Sequence, residues 1–347
     1  MVTATERLTY AAAQAARVAF YGAHYLVARV LARDAFAEID LKRHSFPSLG
    51  ATLKGMRLLF EKDLANAEAG LYPLPLDHDG SLPDLLERSR LFFADLPAVH
   101  QRREGGQSQE VLNEQTRGKR PRYYLQNFHF QSGGWLTPES AQRYDTQVEV
   151  LLYGSANAAR RQVLPALHEV FAGRDQRRLR LLDVGCGTGR SLDFCKQVWP
   201  RLPAVGIDLS EAYIAEAKRH LRRWGWISLL VANAEAVPLE TESQDAVTVN
   251  FVFHELPPAV RRIVFGEIAR LLKPGGRLVV LDSVQTGDEP DYDGMLELFP
   301  QNYHEPYYAS YIREDLGALG RACGLTPVGE IKAFVSKVMV FDKHAKS

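Results

Sequence analysis

Residues 183–189 read Asp-Val-Gly-Cys-Gly-Thr-Gly, behind the apolar run Arg178-Leu179-Arg180-Leu181-Leu182 and ahead of a helical pattern that starts near Thr188. Three glycines at alternate positions let the backbone turn tightly and approach a ligand without Cβ interference. A strand, a glycine turn and a helix in that order open an α/β sheet, whose ligands lie beyond the carboxyl ends of the strands. The spacing is G-x-G-x-G with an acid two residues ahead, not the G-x-G-x-x-G of a dinucleotide fingerprint. A pyrophosphate wants the helix N-terminus to itself. A carboxylate at Asp183 instead suits a ligand with a cationic end.

Working outward, short apolar runs alternate with helical segments from residue 178 onward, which predicts βαβ units and a parallel sheet with helices on both faces. The second run ends in Gly206-Ile207-Asp208, with Asp208 lying 23 residues after Gly185. That is close to the offset of about 20 expected of a ribose-binding acid. The third ends in Ala232-Asn233-Ala234-Glu235, where Asn233 can donate to or accept from an adenine edge. The fourth ends in Asn250-Phe251 and runs into Phe253-His254-Glu255. Leu272-Lys273-Pro274-Gly275-Gly276 stops the following helix. The last two runs, 325–333 and 335–341, are too close for a crossover helix and are expected to pair antiparallel.

In that order these features resemble the class I S-adenosylmethionine-dependent methyltransferases over about residues 174–347. Within that class the sequence is most similar to the small-molecule group that includes the ubiquinone and menaquinone biosynthesis C-methyltransferases. The resemblance implies a Rossmann-like α/β fold, a seven-stranded sheet with its last strand antiparallel. It implies S-adenosylmethionine as methyl donor and S-adenosylhomocysteine as product. Asp183, Gly185, Cys186, Gly187 and Gly189 would surround the methionine part. Asp208, with Leu209 beside it, would hold the ribose, and Asn233 and Ala234 would meet the adenine. Asn250 and Phe251 would lie near the donor, with Asn250 available to its amino group. The family usually has Asp at position 233; Asn keeps the hydrogen-bonding capacity but not the charge. Tyr144-Asp145 resembles a Tyr-Asp pair of the quinone group, whose Tyr helps to cover the donor. Cys186, between two glycines, reads as a small space-filler.

The rest of the chain gives a coarser picture. Lys+Arg and Asp+Glu number 42 each, so net charge gives no reason to expect nucleic acid or an anionic membrane as partner. Three cysteines, Cys186, Cys195 and Cys323, fit neither a zinc site nor a disulfide framework, and a reducing, cytoplasmic setting is expected. The first residues lack the charge and apolar order of a signal peptide. Residues 10–31 are apolar-rich but interrupted by Gln14, Arg17, His24 and Arg29, which predicts a buried helix rather than a membrane span. Helices are expected over about 5–38, 48–68, from Pro83 to before Pro97, and over 137–172. This divides the chain into a helical N-terminal domain with a polar linker (1–122), an aromatic cap segment and helix (123–173), and the α/β domain (174–347). A homodimer through the N-terminal helices is one assembly this layout allows.

Methyl transfer is an in-line displacement from an activated donor, so the enzyme mainly aligns the acceptor and excludes water. A base is needed only where the acceptor loses a proton. His254, just past the fourth strand, is the candidate base, with a loop brace as the other reading. Glu255 reads as structural. Two aromatic stretches could hold a small, ring-shaped or otherwise hydrophobic acceptor for O- or C-methylation: 299–311, with Tyr303, His304, Tyr307 and Tyr308, and 123–135, with Phe130 and Trp135. The same aromatics could instead pack the N-terminal region onto the sheet. No carboxylate and histidine cluster in the sequence demands a metal. Two rival functions stay open: a catalytically silent nucleoside-binding scaffold, and, against the loop spacing, a nicotinamide oxidoreductase.

Overall fold

The computed structural model describes residues 2–31, 45–77 and 79–344. The amino-terminal part is helical: α1 (Ala4–Leu31), α2 (Leu49–Glu68), α3 (Leu82–Gly105), α4 (Pro138–Leu151), α5 (Ala156–Arg161) and α6 (Leu164–Phe171). Residues 32–38 of the first expected helix lie outside the described residues. Ser48 caps α2 by accepting from the Ala51 N–H, and Ser81 forms a capping box with Asp84 at the start of α3. Among the described residues no helix is long and apolar enough to cross a membrane.

Two helix boundaries differ from expectation. α3 passes through Pro97 and ends only at Gly106, which is left-handed at φ 62°. Proline removes one backbone bond, but Phe92, Leu96 and Val99 are buried on either side of it and hold the helix together. The segment expected as one helix over 137–172 is broken at 152–155, where Tyr153 and Gly154 take φ of 51° and 80°. The break admits α1: an added Cβ on Gly154 would stand 2.8 Å from the Arg17 backbone.

The α/β part follows as β1 (Leu181–Val184), α7 (Arg190–Val198), β2 (Ala204–Asp208), α8 (Glu211–Leu221), β3 (Ile227–Val231), β4 (Gln244–Asn250), α9 (Pro258–Leu271) and β5 (Leu272–Ser283). It ends with α10 (Asp293–Tyr303), α11 (Tyr308–Tyr311), α12 (Leu316–Ala322), β6 (Leu325–Ala333) and β7 (Ser336–Lys343). Among the described residues these strands form one seven-stranded sheet, ordered β3-β2-β1-β4-β5-β7-β6. β7 runs antiparallel to both neighbours, and the other pairs are parallel. Side chains alternate between two buried faces, as period-2 geometry requires. Leu182, Val184, Val247, Val249, Leu278 and Val280 face one core with Phe265 and Ile268 of α9. Leu181, Ala246, Val279 and Leu281 face the other with Leu167 of α6 and Leu192 of α7.

Helix α4 packs against α1, α3 and α8, and α2 packs against α5. Charged groups fix this docking. Arg161 of α5 is buried and donates to both oxygens of Asp63 on α2 (2.9 and 2.6 Å) and both of Asp77 (2.5 and 2.9 Å). Arg17 of α1 pairs with Asp79, and with Glu149 of α4 at 2.6 Å. Removing one partner of a buried pair is costlier than the pair is stabilising, because the other charge stays buried. Arg161→Met is therefore expected to lose about 3–5 kcal/mol of stability, read as a lower urea midpoint at unchanged slope. An unmoved midpoint would show that these pairs do not hold the helices in place.

Candidate active site

The donor loop follows β1. Gly185, Gly187 and Gly189 all take positive φ, at 66°, 53° and 82°. At Gly189 an added Cβ would meet Leu221 of α8 at 2.7 Å, so the glycine also sets how closely α7 approaches α8. Gly187 N–H donates to Asp208 Oδ2 (3.0 Å) and Ser210 N–H to Asp208 Oδ1 (2.8 Å). Each Asp208 oxygen keeps a second lone pair for a ligand hydroxyl. Burial lifts the Asp208 carboxyl to about 6, opposed by the backbone donors of Ser210 and Gly187.

Asp183 Oδ1 accepts from Thr248 Oγ1 (2.7 Å) and Asn250 Nδ2 (3.1 Å). Asp183 Oδ2 and the adjoining Asn250 Oδ1 are buried without a hydrogen-bond partner. Two orphaned acceptors side by side fit a cationic group. Burial lifts Asp183 to about 7, against the pull of Thr248 and Asn250, and a cation beside it would ionise it. Cys186 is buried in the loop. Asn233 spends its side chain on the turn: Oδ1 accepts from Glu235 N–H (3.0 Å) and Nδ2 donates to Glu235 Oε1 (3.1 Å). Each of these atoms keeps one further donor or acceptor position, and Asn233 and Ala234 both line the cavity over the loop.

An aromatic cover lies over this loop. The cavity between cover and loop, about 110 Å³, is lined by Tyr124, Phe128, Trp135, Tyr144 and Tyr213 together with Gly185, Gly187, Asp208, Leu209, Asn233, Ala234, Asn250 and Phe251. Tyr144 packs edge-on against Trp135 and Tyr213, at 5.5 and 5.3 Å between ring centroids. Its neighbour Asp145 accepts from Thr188 Oγ1 and Arg190 Nε, both at 2.9 Å, and so ties α4 to the donor loop. Although Asp145 is buried, Arg190, His220 and Arg160 hold its carboxyl well below the usual range.

A second cavity, of about 580 Å³, lies beside the first; Tyr144, Phe251 and Glu255 line both. Its walls are largely apolar, with Val148 and Leu151 of α4 and Met295 and Phe299 of α10; His129, His254, Tyr303 and Tyr308 supply polar groups. Of the aromatic residues proposed from sequence to hold an acceptor, Tyr303 and Tyr308 line this cavity. Trp135 lines the smaller cavity and donates to Glu255 Oε2 at 3.1 Å. Phe130, His304 and Tyr307 line neither cavity. Phe130 packs on His304 at 5.3 Å, His304 Nε2 meets Gln126 Oε1 at 3.2 Å, and the Tyr307 carbonyl accepts from Arg261 at 2.8 Å.

His254 reaches Asp282 Oδ1 through Nδ1 at 2.6 Å. The other Asp282 oxygen accepts the Phe253 N–H at 2.9 Å. Burial alone would lower the His254 pKa, but the Asp282 carboxylate, with Glu305 and Glu255 further off, outweighs it and raises the ring to about 9. Burial also raises the Glu255 and Glu305 carboxyls, and lowers His129 to about 3 with help from His254 and His304. Arg261, fully buried, donates to the Phe253 carbonyl, Glu314, the Tyr307 carbonyl and Ser310, which locks the His254 turn to the 307–314 segment. Sequence reading passed over Asp145, Arg261 and Asp282 as working parts. Asp282 did carry a signal, being an acid at the carboxyl end of a strand like Asp183 and Asp208.

Residues 182–280 match the family model described as "Methyltransferase domain". A ubiquinone/menaquinone biosynthesis C-methyltransferase of Syntrophotalea carbinolica is 36% identical over 147 residues, 42% of this chain and 58% of that protein. A demethylmenaquinone methyltransferase of Lactococcus lactis is 33% identical over 144 residues, 39% of this chain and 56% of that protein. One of Thermus thermophilus is 33% identical over 145 residues, 42% of this chain and 62% of that protein. The chain thus spans less than two thirds of the length of these relatives. With this sheet order and this glycine loop, residues 182–280 match a methyltransferase domain and are similar in sequence to ubiquinone/menaquinone biosynthesis C-methyltransferases.

Proposed function

We propose that this protein transfers the methyl group of S-adenosylmethionine to a small aromatic or otherwise hydrophobic acceptor, within the cytoplasm. The observation that carries this reading is the shared wall. The smaller cavity over the glycine loop and the larger one meet at Tyr144, Phe251 and Glu255, so a donor methyl carbon in the first can face the second. The volume of about 580 Å³ falls in the range of small-molecule sites. The relatives named above are, by name, a C-methyltransferase of ubiquinone and menaquinone biosynthesis and two demethylmenaquinone methyltransferases, which supports a ring-shaped acceptor and, of carbon and oxygen, carbon as the methylated atom.

In this reading Asp183 and Asn250 take the donor's ammonium, Asp208 its ribose hydroxyls, and Asn233 and Ala234 its adenine. The loop glycines and Cys186 border the methionine part, and Leu209 borders the ribose. Tyr144, with Trp135, Phe128 and Tyr213, keeps water from the sulfonium. Tyr303 and Tyr308 border the acceptor. His254 takes the acceptor's hydroxyl proton through Nε2, since Asp282 engages Nδ1. The raised pKa of about 9 brings this base close to the ordinary phenol value of about 10, where proton transfer runs nearly level. The neutral ring is then only about one in a hundred at pH 7.

Three measurements test this reading. Incubating the protein with S-adenosylmethionine and a panel of hydroxylated rings is expected to release S-adenosylhomocysteine; no release with any acceptor would favour the scaffold reading. Asp208→Ala is expected to weaken S-adenosylhomocysteine binding at least about 100-fold by calorimetry, since two charge-assisted bonds are lost. Unchanged affinity would move the donor elsewhere. His254→Gln is expected to lower kcat by about 10²–10⁴-fold with donor affinity kept, whereas equal kcat would leave His254 as a brace only.

A further inference from the structure

The wall between the two cavities holds a cluster that the methyl-transfer reading leaves unused. His129 comes from the turn at 128–130, Glu255 from the turn after β4, and Glu305 from the turn after α10. One ligand atom from each lies within 4.8 Å of the other two. His129 Nε2 stands 3.1 Å from Glu305 Oε1. Glu305 is completely buried, and neither of its carboxylate oxygens has a hydrogen-bond partner. Buried polar atoms nearly always have partners, so a carboxyl with no hydrogen bond on either oxygen and only the His129 ring beside it is a place where a further partner is called for.

We propose that His129, Glu255 and Glu305 bind one first-row divalent cation of the Mn²⁺ or Zn²⁺ class at the boundary between the smaller cavity and the larger one. One imidazole nitrogen and two carboxylate oxygens suit such an ion better than Ca²⁺ or Mg²⁺, which take oxygen alone, or a soft thiolate-seeking ion. With metal–ligand bonds of about 2.0–2.2 Å, ligand atoms stand about 3–4 Å apart; the His129–Glu305 pair is at 3.1 Å, and all three ligand atoms lie within 4.8 Å of one another. Trp135 donates to Glu255 Oε2 and leaves Oε1 for the ion, the kind of outer contact that orients ligating carboxylates. His254 Nδ1 is engaged by Asp282 at 2.6 Å, so this neighbouring ring is tied outside the cluster. Three protein ligands leave a position open. His129 and Glu255 both line the larger cavity, so an oxygen of the ligand held there, a phenol or a ketone, is the class that fills it. This last assignment rests on the proposed function; the metal site itself does not.

The test therefore reads metal binding and not methyl transfer. Full-length protein, stripped with chelator, is titrated with Mn²⁺ followed by electron paramagnetic resonance and with Zn²⁺ followed by calorimetry. One equivalent of at least one ion is expected to bind. Glu305→Gln keeps the shape and removes the charge, and His129→Ala removes the nitrogen; each is expected to weaken that binding at least tenfold. S-adenosylhomocysteine affinity, measured on the same samples and expected to stay within a factor of about three, reports that each variant is folded. Should His129→Ala lose that affinity, Glu305→Gln decides alone. No stoichiometric binding of either ion to the wild type, or wild-type affinity in a folded variant, overturns the proposal.

Discussion

Arg161 sits buried between Asp63 and Asp77, with its guanidinium carbon 5.2 Å from the centre of the Phe194 ring, and the placement of the amino-terminal helices follows from it. Three parts of the chain meet there: α2, the segment that carries Asp77, and α5, with Phe194 of α7 beside the guanidinium. Buried ion pairs of this kind add little net stability over an apolar core, but they tolerate very few arrangements. Apolar helices alone could slide over the sheet. A five-donor fork held between two carboxylates cannot, because each shift strands a charge. The larger cavity needs that exactness of register, since its walls come from α1, α4 and α10 together.

A second fixed point lies at the donor loop. Asp145 joins α4 to Thr188 and Arg190, while Asp282 joins the end of β5 to the Phe253 and His254 turn. Each carboxylate accepts from two donors on another element. The sheet edge, the cover and the His254 turn thereby form one rigid frame around the boundary of the two cavities. Preorganisation of this kind is what an in-line displacement asks of a protein.

Much of this frame was legible in the sequence. Strand period, the three alternate glycines, Asp208 and the short gap before the last strand are local signals, and local signals translate directly into backbone geometry. What was not legible depends on residues far apart in the chain. Pro97 stays inside α3 because buried neighbours on both sides of it outweigh one missing hydrogen bond. The helix expected over 137–172 breaks because α1, more than a hundred residues earlier, needs the space at Gly154. Of the clustered tyrosines and histidines at 303–308, the ones that reach the cavity are chosen by α10 and α11, not by composition. The turn that sets the Asn233 side chain rests on Glu235, two residues on, which bonds to both of its polar atoms.

The aromatic cover over the donor loop has a kinetic side. It is tied down at several points: Arg120 to the Leu209 carbonyl and Glu211, Tyr123 to Glu235, and Trp135 to Glu255. Beneath it the smaller cavity measures about 110 Å³, against about 300–1,000 Å³ for typical small-molecule pockets. Under the proposed function, a nucleoside with an amino-acid tail enters and leaves only when those few bonds let go, so both passages share one opening, a step of the kind that paces turnover in many enzymes.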